Sequence, residues 1–292
     1  MQGTVDGFSY GVVTPVVGFL MACLGGALGL RCTTRSLLVT DRWRPAWLAL
    51  GSAAIGSGIW TMHFVAMMGF SIQNAPIHYD QPMTYASLGL AILMVGVGIF
   101  IVGYRGATGT PLFTGGTITG LGIASMHYLG MAGMHFDGRF AYNTLTVGAS
   151  VVIAVVAATS ALWAAGRVQG FLRSVGASLV MGLAVSGMHY TGMAAVTVHL
   201  HAAPGAATTG SPAGVLAPML IGPLVFLILA GAVVVFDPLV ITGRRPRTPA
   251  EGKPGVPAAA VASHQDRHPA LNGARGPVRR SGSLASRAPQ NR

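Results

Sequence analysis

The sequence predicts an all-α fold: a polytopic membrane bundle of seven transmembrane helices, with one leading helix followed by three repeated helix pairs. Three observations carry this expectation. The 292 residues are 52% hydrophobic and only 9% charged, whereas a soluble domain is nearer one quarter charged. Mean hydropathy is +0.60. A pattern also recurs three times: Gly56-x-Gly58, Gly120-x-Gly122 and Gly182-x-Ala184 each stand at the same offset before a Met-His pair. Internal repeats of this kind point to one membrane unit rather than two soluble domains.

A transmembrane helix needs about 20 largely apolar residues. Seven segments reach that length, at about 8–30, 47–70, 84–104, 112–135, 144–166, 174–197 and 215–236. Each is continuously apolar, rich in glycine and free of internal charge, which favours helices over the alternating strands of a barrel. The first span follows Met1 to Gly7, which contains Asp6 and no basic residue. It lacks the basic start of a cleaved signal peptide, so the span is expected to stay in the mature chain.

Basic residues set the direction. Arg31, Arg35, Arg42 and Arg44 fall between spans one and two, Arg105 between three and four, and Arg167 and Arg173 between five and six. Ten more follow residue 243, and only Arg139 lies on the other side. The positive-inside rule then puts the N-terminus outside and the C-terminus in the cytoplasm. The expected organisation is a membrane domain at 1–243 and a disordered basic Pro/Ala-rich cytoplasmic tail at 244–292. The net charge of +11 is concentrated in that tail, so it reads as a topology signal and no nucleic acid is expected. Contact with the lipid bilayer is expected throughout. Cys23 and Cys32 are too few for a disulfide framework or a thiolate metal site.

The repeated element itself is Met62-His63-Phe64-Val65-Ala66-Met67, Met126-His127-Tyr128-Leu129-Gly130-Met131 and Met188-His189-Tyr190-Thr191-Gly192-Met193. Spans two, four and six run in one direction, so the copies are parallel and the three histidines share one depth near the outer face. An ionisable side chain inside an apolar span is costly and usually functional. Residues four apart on a helix share a face, which joins His63 to Met67, His127 to Met131 and His189 to Met193. Met62, Met126 and Met188 point about 100° away. The preceding glycines are expected to let spans two, four and six approach closely.

A site of three imidazoles and three thioethers contains only neutral ligands. Thioether favours soft ions, above all Cu(I). A monovalent ion is also less costly to desolvate than a divalent one. Calcium and magnesium lack their oxygen ligands here. The expected metal ligands are His63, Met67, His127, Met131, His189 and Met193, and the expected cofactor is copper as Cu(I). His135 extends the stripe of His127 and Met131, and His78, His199 and His201 lie near the outer face. His264 and His268 fall in the tail.

Three Met-His-[Phe/Tyr]-x-[Ala/Gly]-Met motifs in a seven-span frame resemble the MHYT domain family over residues 8–240. Met188-His189-Tyr190-Thr191 spells the family name in full, whereas the first two copies lack the threonine. The resemblance implies a bacterial integral membrane sensor, multi-pass in the cytoplasmic membrane. It also implies copper near the outer face and detection of oxygen, carbon monoxide, nitric oxide or redox state. Relatives join such units to cytoplasmic cyclase, phosphodiesterase or DNA-binding domains. The tail here is too polar to bury a core, so output is expected to pass through a separate cytoplasmic signalling partner. A copper transporter and a bis-His haem protein are the alternatives. No enzymatic activity is expected, since the spans hold no nucleophile–base pair or paired carboxylates.

Overall fold

The computed structural model describes residues 5–6, 9–72, 75–167, 171–200 and 212–237. The expected tail, with His264 and His268, lies outside the described residues, as does His201. Among them are seven helices: α1 (Val13–Ser36), α2 (Arg44–Met68), α3 (Gln81–Arg105), α4 (Gly109–Ala132), α5 (Thr144–Arg167), α6 (Phe171–Ala194) and α7 (Pro212–Val235). Each has 24 or 25 residues, about 36 Å of helix at 1.5 Å per residue. That exceeds the roughly 30 Å of a hydrocarbon core. Five of them, α1, α2, α3, α5 and α7, are also apolar enough to cross a membrane. Helices α4 and α6 are diluted by Gly, Thr, Ser and His.

Local chemistry sets the helix ends. Gly11 takes a positive φ of 59°, so α1 begins after it, several residues later than the hydropathy suggests. Arg31 and Arg35 consequently lie inside α1 rather than in the loop that follows. Asp80 caps α3 by accepting a 2.7 Å hydrogen bond from the Met83 amide, with Pro82 in the first turn. Asn143 caps α5, accepting from the amides of Leu145 and Thr146 at 3.1 Å.

Three small antiparallel ribbons accompany the helices, and the hydropathy did not foretell them. β1 (Val5–Asp6) pairs with β2 (Ser71–Ile72), β3 (His78–Tyr79) with β4 (Met134–His135), and β5 (Gly138–Tyr142) with β6 (Val196–Leu200). The longest runs in register from Gly138 opposite Leu200 to Tyr142 opposite Val196. All three lie at the end of the bundle where α2, α4 and α6 finish. The arginines of the helix termini gather at the other end. There Arg35 pairs with Asp237 at 2.5 Å and stands over Trp47. Arg44 donates to the Gly103 carbonyl and stacks 4.9 Å from Tyr104. Arg167 stacks 5.1 Å from Trp163.

Helices α1 to α6 form a closed ring in chain order, with α6 returning to α1. This revises the pairing suggested by the repeat. Helix α7 follows α6 in sequence, yet its main helical neighbours are α2 and α1. There Leu227, Ala230 and Val234 join Leu28, Cys32 and Ala54 in a separate small core. Both cysteines are buried and free. In space, α1 takes the partner's place beside α6.

The repeated glycines explain the ring and correct a second expectation. They do not bring α2, α4 and α6 together. A Cβ on Gly56 would stand 2.8 Å from Ile92 Cα on α3, and one on Gly58 would stand 2.7 Å from Gly25 Cα on α1. Gly120 faces the backbone of Val155 on α5, Gly122 the Met94 side chain on α3, and Gly182 Cys23 and Phe19 on α1. The first glycine of each copy therefore seats the next helix round the ring. At Gly58 and Gly122 the second position seats the previous one, whereas its third counterpart, Ala184, lines a groove between α5 and α6. Close backbone approach at small residues is the ordinary currency of helix packing in membranes.

Candidate metal centre

The three histidines meet on the ring axis. His63 Nδ1 lies 3.1 Å from His189 Nδ1 and 3.2 Å from His127 Nδ1, and the third side of the triangle is 3.3 Å. The rings stand nearly at right angles to one another, with interplanar angles of 80°, 76° and 90°. All three side chains are fully buried. The cluster contains no carboxylate or thiolate.

The rest of each motif holds an imidazole in place. The aromatic residue after each histidine meets its ring edge-on: Phe64 at 4.6 Å, Tyr128 at 4.8 Å and Tyr190 at 4.9 Å between centroids. In the second and third copies, the small residue three positions after the histidine makes room for the histidine of the preceding copy. A Cβ on Gly130 would stand 2.6 Å from His63 Nε2, and one on Gly192 2.5 Å from His127 Nε2. Ala66 occupies this position in the first copy and is itself buried. These residues, rather than the earlier glycines, let the three motif helices converge. Their Ala/Gly identity was visible in the sequence, but its target was not.

Hydrogen bonds tie the motif helices to their neighbours. Trp60 Nε1 donates to Ser87 Oγ at 3.0 Å and to the Thr84 carbonyl at 3.2 Å, linking α2 to α3. Tyr128 shares a 2.7 Å hydrogen bond with Ser150, linking α4 to α5. Above the triad, Phe70, Ile72, Ile77, Tyr79, Met134 and Val198 close the ribbon end as buried apolar cover. Burial pushes the Tyr79 hydroxyl well above its ordinary pKa.

The methionines are less symmetric than the histidines. Met67 and Met131 are fully buried, whereas Met193 is partly exposed. Met62, Met126 and Met188, which helical geometry turns away from the histidine face, are all fully buried. His135 does not continue the helical stripe. Gly133 ends α4, and His135 lies on β4 directly opposite His78. His199 faces Arg139 across the longest ribbon.

Chemically, each neutral imidazole carries one N–H and one lone pair. If the Nε2 atoms hold the protons, three Nδ1 lone pairs converge on one point. The centre of their triangle lies about 1.8 Å from each nitrogen, against about 2.0–2.1 Å for a typical metal–imidazole bond. A small outward movement brings the set to ligand distance. Among the described residues, His63 Nε2 and His127 Nε2 have no hydrogen-bond partner.

Known proteins share this sequence pattern. The MHYT profile, described as a bacterial signalling protein N-terminal repeat, matches residues 56–115, 120–178 and 182–248. The bifunctional diguanylate cyclase/cyclic di-GMP phosphodiesterase MucR of Pseudomonas aeruginosa is 38% identical over 73% of this chain and 32% of its own length. The cyclic di-GMP phosphodiesterase NbdA of the same organism is 34% identical over 69% of this chain and 27% of its own. The signaling protein YkoW of Bacillus subtilis is 32% identical over 67% and 25%. The chain thus spans a third or less of each of these relatives. No solved structure matches it. Three matched repeats, each carrying one corner of the imidazole triangle, make this chain a member of the MHYT family of bacterial signalling proteins and a multi-pass membrane protein.

Proposed function

We propose that the protein is a membrane sensor whose three histidines hold one copper ion, and that it acts as a signalling input rather than as an enzyme. The observation that carries this reading is the closed Nδ1 triangle. With the protons on Nε2, three lone pairs directed at one buried point repel one another unless a cation lies between them. His63, His127 and His189 would hold the ion. Met67 and Met131 stand one turn further along two of the same helices, and Met193 holds the equivalent place on α6. The absence of an anionic ligand from the cluster favours monovalent copper. When bound, copper(I) supplies an electron-rich centre to which oxygen, carbon monoxide or nitric oxide can bind.

The protein's part is to hold three helices at one point. Anything that widens or tightens the triangle shifts α2, α4 and α6 against one another. Such a ligand biases the packing only by its different affinity for the two arrangements. We place all seven helices across the bilayer, with the ribbons outside. The arginine end then faces the cytoplasm, as the positive-inside rule requires. The names of MucR and NbdA record cyclic di-GMP enzymes. A cytoplasmic partner of that signalling class would read the movement here.

The same triangle argues against a bis-His haem. Two axial histidines need iron midway between them and a flat macrocycle around it. Nitrogens 3.1–3.3 Å apart in a closed triangle leave no such plane. Metal analysis of detergent-purified protein tests the proposal. Near-stoichiometric copper is expected, and the triple His63/His127/His189→Ala variant should contain none. Wild-type protein that neither contains copper nor takes up Cu(I), or that holds zinc in its place, would overturn it.

A further inference from the structure

The triad is covered on its ribbon side by buried apolar residues, and on its other side one apolar layer separates it from space. A cavity of about 40 Å³ lies within the ring. Ile59, Ile123 and Val185 line it, each four residues before a histidine of the triad. On a helix, that places them one turn away on the same face, about 6 Å along the axis. The cavity therefore lies on the side of the triad opposite the ribbons, with Ile59, Ile123 and Val185 as the layer between the two. Its polar lining residues are Thr33 and Thr119, whose hydroxyls donate to the Gly29 carbonyl at 2.9 Å and the Met94 carbonyl at 3.5 Å. An apolar space without free polar partners stays dry, yet it accepts small apolar guests.

The cavity also shares a wall with the protein surface. Ala157, Ala161 and Met181 line both this cavity and a groove between α5 and α6. The groove is walled by Val152, Val156 and Val180, which are 61%, 58% and 65% exposed. In a bilayer those side chains face lipid. On the α5 side of the junction only the methyl groups of Ala157 and Ala161 intervene, and the unbranched Met181 can move aside without moving backbone.

We propose that a diatomic ligand reaches the triad laterally from the bilayer interior, through the α5–α6 groove, past Met181 into the dry cavity, and from there across the Ile59–Ile123–Val185 layer. This rests on the copper-sensor reading above and adds a route to it. Oxygen, carbon monoxide and nitric oxide are small, uncharged and more soluble in hydrocarbon than in water. The membrane concentrates them beside this groove, and the cavity excludes the water that would compete.

The test uses full-length protein in lipid nanodiscs, as wild type, Ala161→Phe and Met181→Ala. Xenon binding by NMR reads the cavity in metal-free protein. Carbon monoxide rebinding after flash photolysis reads the route in copper-loaded protein. Ala161→Phe should lose xenon binding and slow rebinding about tenfold. Met181→Ala should speed rebinding at unchanged copper content, which keeps the route testable if the bulkier variant fails to fold. Equal rebinding rates in wild type and Met181→Ala, with Ala161→Phe unchanged where it folds, would overturn the lateral route and leave the sensor reading standing. Copper-loaded wild type that binds no carbon monoxide would overturn both.

Discussion

The first and third copies of the repeat carry the same motif in different surroundings. Helix α2 is packed by α1, α3 and α7, and 72% of its most apolar stretch is buried. Helix α6 is packed by α1 and α5, and it leaves Leu172, Leu179, Val180 and Leu183 exposed. Both helices nonetheless deliver a histidine to the same triangle. The site therefore depends on a few contacts inside the ring, not on the wall outside it. That leaves the wall free to differ, and in the third copy it is open.

The sharpest way to break this comparison is to enlarge the second small position of each copy. Gly58→Leu drives a side chain into the backbone of α1 at Gly25, which cannot yield. A loss of about 3 kcal/mol in thermal or denaturant unfolding is expected. Ala184→Leu enlarges the matching position of the third copy, which faces the groove, and should cost under about 0.5 kcal/mol. Equal losses would show that the third wall is closed after all.

Next in size are Gly130→Val and Gly192→Val. Each added side chain strikes an imidazole of the neighbouring helix and should displace one corner of the triangle. Copper affinity should fall at least about tenfold in both, near 1.4 kcal/mol, as read by competition with a Cu(I) chelator. A fall in only one of them would show that the corners are not equivalent. The smallest effect belongs to Tyr128→Phe, which gives the second copy the aromatic residue of the first. It removes the hydrogen bond to Ser150 and should cost about 1 kcal/mol of stability, with copper content unchanged.

The same contrast explains what the sequence could reveal. Seven helices and three equivalent histidines followed from hydropathy and spacing, because both are local properties. The repeat put His63, His127 and His189 at one depth, and only the structure shows that they meet. The choice of neighbours was not readable, because any helix can face a glycine. Gly182 could have met α7, the next helix in sequence, and instead meets α1. The ribbons were hidden for a related reason. Strands of two residues have no periodicity to detect, and their partners lie in distant loops. Only Val196-Thr-Val-His-Leu200 carries a β-branched alternation, and its first two residues fall within the apparent end of span six. His135 was misplaced because Gly133 turns the chain out of the helix before it.

The ring also imposes an order on synthesis. His63 and His189 are separated by 126 residues, which at 5–20 residues per second takes a ribosome about 6–25 s to bridge. Through that interval α1 and α2 can pair, yet one side of α1 must wait for α6. A nascent chain halted after α5 holds two imidazoles and an unclosed ring. Assembly of the triangle is thus a late checkpoint, passed only when α6 has been made and meets α1.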